Sequence, residues 1–209
     1  MDEAKRRWLV GFALLVLVFA IGFIQRTGAF APFDQAIMLW VGAVRPSPLG
    51  EEITGPAIWL SIIGDTKGRL FLLTVAALLL VRLRRWRQWV WLAAVVIAVT
   101  LLNNALKYYF GAARPELIPH LDPTTSFSFP SGHASGNMTF LAALAALAAR
   151  RWAWLLAGLL IVAIGCTRVW LGVHWPTDVI CGWMEGAAVV LFALRWLPAR
   201  PEVNGRKII

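Results

Sequence analysis

Six stretches of this chain carry too little charge over too many residues for water to be the solvent around them. Residues 8–24, 88–106, 134–149 and 152–167 contain no Asp, Glu, Lys or Arg. Each is near the ~17 to 25 apolar residues that cross a bilayer as a helix. Residues 70–81 form a shorter run that lengthens through Arg69 and Arg82 if both side chains snorkel, and residues 175–194 are interrupted only by Asp178 and Glu185. Inside lipid an open strand would leave backbone groups without partners, so spans of this length are helices. The expectation is an all-α polytopic membrane protein with six transmembrane helices. The 59% hydrophobic and 15% charged composition agrees, since soluble domains are roughly 25% charged.

Two further apolar stretches, 35–44 and 53–64, are too short to span and are bounded by Asp34, Arg45, Glu51, Glu52 and Asp65. Short interfacial helices in the first outer loop are expected there. Trp8, Trp86, Trp89, Trp152, Trp175 and Trp196 fall at predicted helix ends, where aromatic belts form. The net charge of +9 does not point to nucleic acid, because most of the basic residues sit in alternate loops: Lys5 to Arg7, Arg82 to Arg87, Arg150 and Arg151, and the segment after the last span. The positive-inside tendency makes those loops and both termini cytoplasmic, in what reads as a bacterial inner membrane. The N-terminus mimics a secretory signal, but its apolar run is long and Pro32 follows Ala29-Phe30-Ala31 at once, so it is expected to stay as a span. Cys166 and Cys181 lack metal-ligand spacing and read as small packing residues. No repeat or second domain is visible, and residues 1–209 read as one membrane-embedded domain.

Three strings in the second half carry the chemistry: Lys107-Tyr108-Tyr109-Phe110-Gly111-Ala112-Ala113-Arg114-Pro115, then Pro130-Ser131-Gly132-His133, then Thr167-Arg168 with His174 and Asp178 following. Three cations, two histidines, a carboxylate and a Ser-Gly turn are the parts that bind a phosphoryl group, attack it and protonate its leaving oxygen. Six residues separate Lys107 from Arg114, five separate Arg168 from His174, and three separate His174 from Asp178. In this order and spacing the strings resemble the type-2 phosphatidic acid phosphatase superfamily over residues 107–178. One position departs: Thr167 stands where the family has Ser, and Thr also carries a hydroxyl.

Helix parity places the motifs together. The third span is expected to end at Lys107, Ser131-Gly132-His133 to open the fourth, and the fourth and fifth to return the chain to the same side at Arg168, with His174 opening the sixth. With the basic loops cytoplasmic, that side is extracytoplasmic. Pro130 and Gly132 favour a sharp turn whose free amides form an anion site at a helix start. His174 and Asp178, at i and i+4, are expected to share one helix face, so that the carboxylate holds one ring nitrogen and frees the other.

The resemblance implies the roles. His174 is the nucleophile that forms a phosphohistidine, Asp178 orients it, and His133 protonates the departing alkoxide and then activates water. Lys107, Arg114, Ser131, Gly132 and Arg168 bind the phosphate, with neither metal nor other cofactor. The implied substrate is a membrane lipid phosphate or diphosphate: undecaprenyl diphosphate, phosphatidylglycerophosphate, phosphatidic acid or lipid A. The partners are that substrate and the surrounding membrane lipids, and the residues leave the oligomeric state open. A vanadate-holding haloperoxidase uses similar residues but is soluble, and a non-enzymatic lipid-phosphate binder would need only the cations. Asn103 and Asn137, one turn below Lys107 and His133, are read as either site support or helix packing, Glu185 as a hydrogen-bonded structural group, and His120 as a loop residue.

Overall fold

The protein, seen here in a computed structural model, is described at residues 2–199, 202–203 and 206–207. Its helices are α1 (Glu3–Gln25), α2 (Ala31–Val44), α3 (Pro48–Gly64), α4 (Thr66–Arg82), α5 (Trp86–Phe110), α6 (Gly132–Ala148), α7 (Arg151–Trp170) and α8 (Pro176–Ala193). A single 3₁₀ turn, Leu194–Trp196, follows. The strands among the described residues are the antiparallel pair Glu202–Val203 and Arg206–Lys207, beyond the helices.

Four segments are long and apolar enough to cross a membrane: α1, α5, α7 and α8 with its 3₁₀ extension. The expected fourth and second spans, α6 and α4, are 17 residues each, about 25 Å at 1.5 Å per residue. Both are short for a visible reason. A Cβ at Gly132 would meet Asn103 Oδ1 at 3.0 Å, and Asn103 lies seven residues before the end of α5. Helix α6 therefore starts about 10 Å below the end of its neighbour. Helix α4 starts at the same depth, with Arg69 packed on Gly136.

Large apolar side chains face outward on several of these helices, including Phe12 at 64%, Leu78 at 67% and Leu155 at 71% exposure. On a soluble protein such a belt would be unstable; on a membrane protein it is the lipid-facing surface.

Helix α6 stands in the middle, with α5, α7 and α8 around it. Glycines bring α8 in close: a Cβ at Gly182 would lie 2.6 Å from the Ser131 carbonyl and one at Gly186 2.5 Å from that of Ser135. Small residues at i and i+4 are how membrane helices approach each other. The apolar core between α5 and α6 is built on Leu92, Val95, Phe140 and Ala143. Helix α1 packs along α8, so the first and last long helices are neighbours.

Of the two short helices expected in the first outer loop, the second needs correction. Helix α2 is short and stays at this end, tied down by Asp34, which accepts from the Thr177 amide at 3.0 Å and hydroxyl at 2.7 Å. Helix α3 does not lie flat. It begins earlier than expected, at Pro48 behind the Ser47 cap, and runs antiparallel to the end of α7: Thr54 accepts from Trp170, Ser61 from Arg168, and Gly64 abuts Ile164. It descends into the bundle because its polar Thr54 and Ser61 find partners on α7. Asp65 then ends α3 and caps α4 through the Gly68 amide at 2.6 Å. One of the two cysteines also differs from expectation: Cys181 is buried, but Cys166 is exposed on α7.

Candidate active site

The ends of α5 and α7 and the starts of α6 and α8 gather at one end of the bundle, and residues 111–131 fold back between them. The result is a cavity of about 440 Å³ lined by Lys107, Arg114, Gly132, His133, Arg168 and His174. Six of the eight residues singled out from the sequence line it. Asp178 and Ser131 lie behind its wall, both fully buried.

His174 does not open a helix as expected. It sits in the turn before α8, whose cap is Trp175, because Pro176 disfavours helix in the residue before it. The relation to Asp178 survives in another form. Asp178 is the third residue of α8, and its Oδ2 reaches back to accept the Trp175 amide at 3.0 Å, satisfying that donor at the helix start. The same oxygen lies 3.4 Å from His174 Nδ1 and accepts from Ser128 Oγ at 2.5 Å. Gln25, at the end of α1, donates to Asp178 Oδ1 at 3.0 Å. A carboxylate gripped by three donors is fixed, and it fixes the ring it touches.

The other ring nitrogen, Nε2, lies 3.3 Å from Arg114 Nη1. Burial pushes the His174 imidazolium down from the ordinary histidine range, and Lys107, Arg114 and Arg168 push it further. The ring is therefore neutral at neutral pH, with a lone pair available for attack.

Arg114 is braced by the Val173 carbonyl at 2.5 Å and the Ser126 carbonyl at 2.9 Å. Burial and the neighbouring Arg168 lower it to about 10, so it keeps its charge. Helix α5 runs past Lys107 to Phe110, and Lys107 Nζ donates to the carbonyls of Phe127 and, at 3.1 Å, Ser128. Arg168 donates to Ser61 and, at 2.6 Å, to Asp122.

The α6 side is less occupied. Ser131 caps α6 without a side-chain bond, while its amide donates to the Asp178 carbonyl at 3.0 Å. Among the described residues, Ser131 Oγ, His133 Nε2 and Arg168 Nε are buried polar atoms without hydrogen-bond partners. Buried donors are normally satisfied. Two of these residues, His133 and Arg168, line the cavity and Ser131 lies just behind its wall, which marks a place built to receive an oxygen-rich ligand.

Sequence reasoning passed over Ser128, Gln25, Ser61 and Asp122. Arg69 was expected to snorkel from a helix end, but it is buried and faces the cavity. Thr167 bonds Ile164 of its own helix at 2.7 Å. Asn137 donates to the Gly64 carbonyl at 2.7 Å and so joins α6 to α3. Asn103 donates to Glu185 at 2.8 Å, which gives Glu185 the bonded position expected of it. His120 is exposed, 2.6 Å from the Pro115 carbonyl. Among the described residues, no group of three or more His, Cys, Asp or Glu side chains could hold a metal ion.

The profile of the PAP2 superfamily matches residues 88–202, a segment that contains all eight residues singled out from the sequence. The chain belongs to the PAP2 superfamily. Among curated PAP2 relatives, it is 30% identical over 192 residues to phosphatidylglycerophosphatase B of Bacillus subtilis, covering 86% of this chain and 88% of that protein. It is 32% identical over 132 residues to undecaprenyl-diphosphatase of Sulfolobus acidocaldarius, covering 58% of this chain and 61% of the relative. The chain thus spans less than two thirds of that archaeal protein's length. A crystal structure of a transmembrane PAP2 type phosphatidylglycerolphosphate phosphatase from Bacillus subtilis superposes with a TM-score of 0.80 at 23% identity, over 89% of this chain and 94% of that one. The PAP2 fold of an integral membrane protein is therefore shared.

Proposed function

We propose that this chain is a lipid phosphate phosphatase that hydrolyses a terminal phosphate from a membrane lipid phosphate or diphosphate, without metal, through a phosphohistidine on His174. The observation that carries the reading is the placement of the His174 ring. One nitrogen is held by Asp178 and Ser128, and the other opens beside Arg114 onto a cavity that also holds the unpartnered His133 Nε2.

Lys107, Arg114, Arg168 and the Gly132 backbone bind the phosphoryl oxygens, with the unpaired Ser131 hydroxyl beneath them. His174 Nε2 attacks phosphorus, and His133 gives a proton to the leaving oxygen. Water then cleaves the N–P bond with His133 as base. Preorganised cations around the developing charge supply most of the rate. The relatives' names favour phosphatidylglycerophosphate or undecaprenyl diphosphate as the class of substrate.

In this reading residues 1–209 form one domain, and α1, α4, α5, α6, α7 and α8 make six crossings. Both termini lie in the cytoplasm of a bacterial inner membrane and the cavity faces outward. The cavity reaches the exposed Thr100 and Asn104 on α5, which suits sideways entry of a lipid whose tails stay in the bilayer.

The test is phosphate release by the purified protein in detergent across a panel of lipid phosphates, repeated with His174→Ala. Release from at least one lipid that is lost in the variant is expected; release that persists in His174→Ala, or none from any lipid, overturns the reading. Labelling single-Cys variants near Arg114 and Arg150 from outside intact cells checks the topology. Labelling at Arg150 alone would place the site in the cytoplasm.

A further inference from the structure

We infer that the cavity contains a second anion subsite, formed by Arg69 and Lys67, which holds a phosphate on the leaving group. The inference rests on the phosphatase reading and narrows its substrate class to lipids with two phosphates in the headgroup. The cavity does not end at the motif residues. It runs on to the α3–α4 turn, where Lys67 and Arg69 raise the lining to five cations against two carboxylates, Asp65 and Asp122.

Both carboxylates have partners already: Asp122 pairs with Arg168 and Asp65 caps α4. Among the described residues, neither Lys67 nor Arg69 is within ion-pair distance of a carboxylate. Arg69 Nη1 donates to the Gly64 carbonyl at 2.8 Å and reaches that of Gly132 at 3.4 Å, whereas Nη2 has only Thr66 Oγ1 at 3.5 Å. That last distance is beyond an ordinary hydrogen bond. A buried guanidinium with an unused edge is costly unless an anion meets it.

The fold makes room for this side chain. A Cβ at Gly136 would lie 2.5 Å from Arg69 Cζ, so Gly136 is what allows the guanidinium to lie against α6.

The placement matches the chemistry of displacement. Ser131 and Ser135 turn their carbonyls to α8, while Gly132 and Gly136 meet α5 and α4, so α6 stands between Arg69 and α8, the helix that His174 precedes. In an in-line displacement the leaving oxygen departs opposite the attacking atom. The side away from His174 is where Arg69 and Lys67 wait.

With a lipid diphosphate, His174 Nε2 bonds the terminal phosphorus as its bond to the bridging oxygen breaks. The electron pair stays on that oxygen, and a lipid monophosphate remains at Arg69 and Lys67 until water frees inorganic phosphate from the histidine. With phosphatidylglycerophosphate the second phosphate is the diester, and the leaving oxygen is a glycerol hydroxyl that takes the His133 proton.

The experiment measures kcat/KM of the purified full-length protein in detergent micelles on four lipids: farnesyl diphosphate, phosphatidylglycerophosphate, farnesyl monophosphate and phosphatidic acid. Arg69→Gln should lower the value on a two-phosphate lipid about tenfold or more, with less than about twofold change on the single-phosphate lipids. Which two-phosphate lipid loses more identifies the source of the second phosphate. Lys67→Gln, at an exposed position, should show the same selectivity more weakly and serves if Arg69→Gln fails to fold. Equal losses on all four lipids, or unchanged selectivity in both variants, overturns the subsite. If the wild type cleaves none of the four, it is the phosphatase reading that falls. The subsite is then judged by thermal protection, where inorganic diphosphate stabilising no more than inorganic phosphate overturns it and stronger stabilisation that weakens in Lys67→Gln supports it.

Discussion

The two walls of the cavity are built on different plans. On the α8 wall every polar atom that matters is engaged: Asp178 accepts from Gln25, Ser128 and the Trp175 amide while it holds His174. On the α6 wall His133 Nε2 and Ser131 Oγ have no partner. A nucleophile must be aimed before substrate arrives, so its surroundings are complete without substrate. A proton donor meets its partner only in the substrate, so its surroundings stay open.

The strongest way to break this contrast is to remove the aimed group. His174→Ala should lower kcat by at least about 10⁴-fold, with lipid binding retained, as read by steady-state turnover and a binding assay. The pH profile belongs to the same test. Because the His174 pKa is lowered, the neutral ring persists below the ordinary value of about 6.5, and kcat/KM should show no acid limb at that pH. A limb there would mean that the ring is not held in the neutral form.

The next largest effect belongs to the open wall. His133→Ala should lose about 10²- to 10⁴-fold on an alkyl phosphate and much less on an aryl phosphate, whose leaving group needs no proton. Equal losses would make His133 a binding residue and erase the difference between the walls.

Ser128→Ala sharpens the contrast, because it removes one donor from the closed wall and leaves the nucleophile in place. Loss of a hydrogen bond to a carboxylate corresponds to about 1.5–3 kcal/mol, so kcat should fall about ten- to a hundredfold while KM holds. A KM effect alone would show that Ser128 only shapes the loop. The smallest effect is expected from Asp122→Asn. Asp122 pairs with Arg168, which on the proposed reading also meets the phosphate, and an ion pair with one partner part-exposed is worth about 1 kcal/mol or less. Vanadate inhibition should tighten by no more than about fivefold, with kcat unchanged; weaker inhibition would mean that Asp122 holds Arg168 in its working position.

The sequence reveals these walls unequally. Lys107, Arg114, His133, Arg168, His174 and Asp178 are visible because their chemistry lies in short spacings and helix parity brings those spacings to one end. The groups that hold them are not. Gln25 reaches Asp178 across 153 positions and Ser61 reaches Arg168 across 107, and no periodicity encodes such a meeting. Arg69 was misread because a cation at a helix end snorkels or turns inward according to its neighbour, here Gly136 on another helix. The descent of α3 escaped for a related reason: its length, polarity and composition suit an interface, and only the partners Trp170 and Arg168 draw it down. The long apolar helices α1, α5, α7 and α8 were the most legible, since hydropathy alone decides them.

Gln25 closes the first helix, and Asp178 opens the last. A ribosome delivers them in that order, with the rest of the bundle between. Until α8 lies beside α1, the carboxylate lacks its full set of donors and the histidine it aims has no fixed bearing. On the proposed reading, a chain inserted only as far as α7 is therefore inert toward phosphorylated lipids. On that reading the pairing of α8 with α1, which comes late in the chain's synthesis, is what readies the histidine.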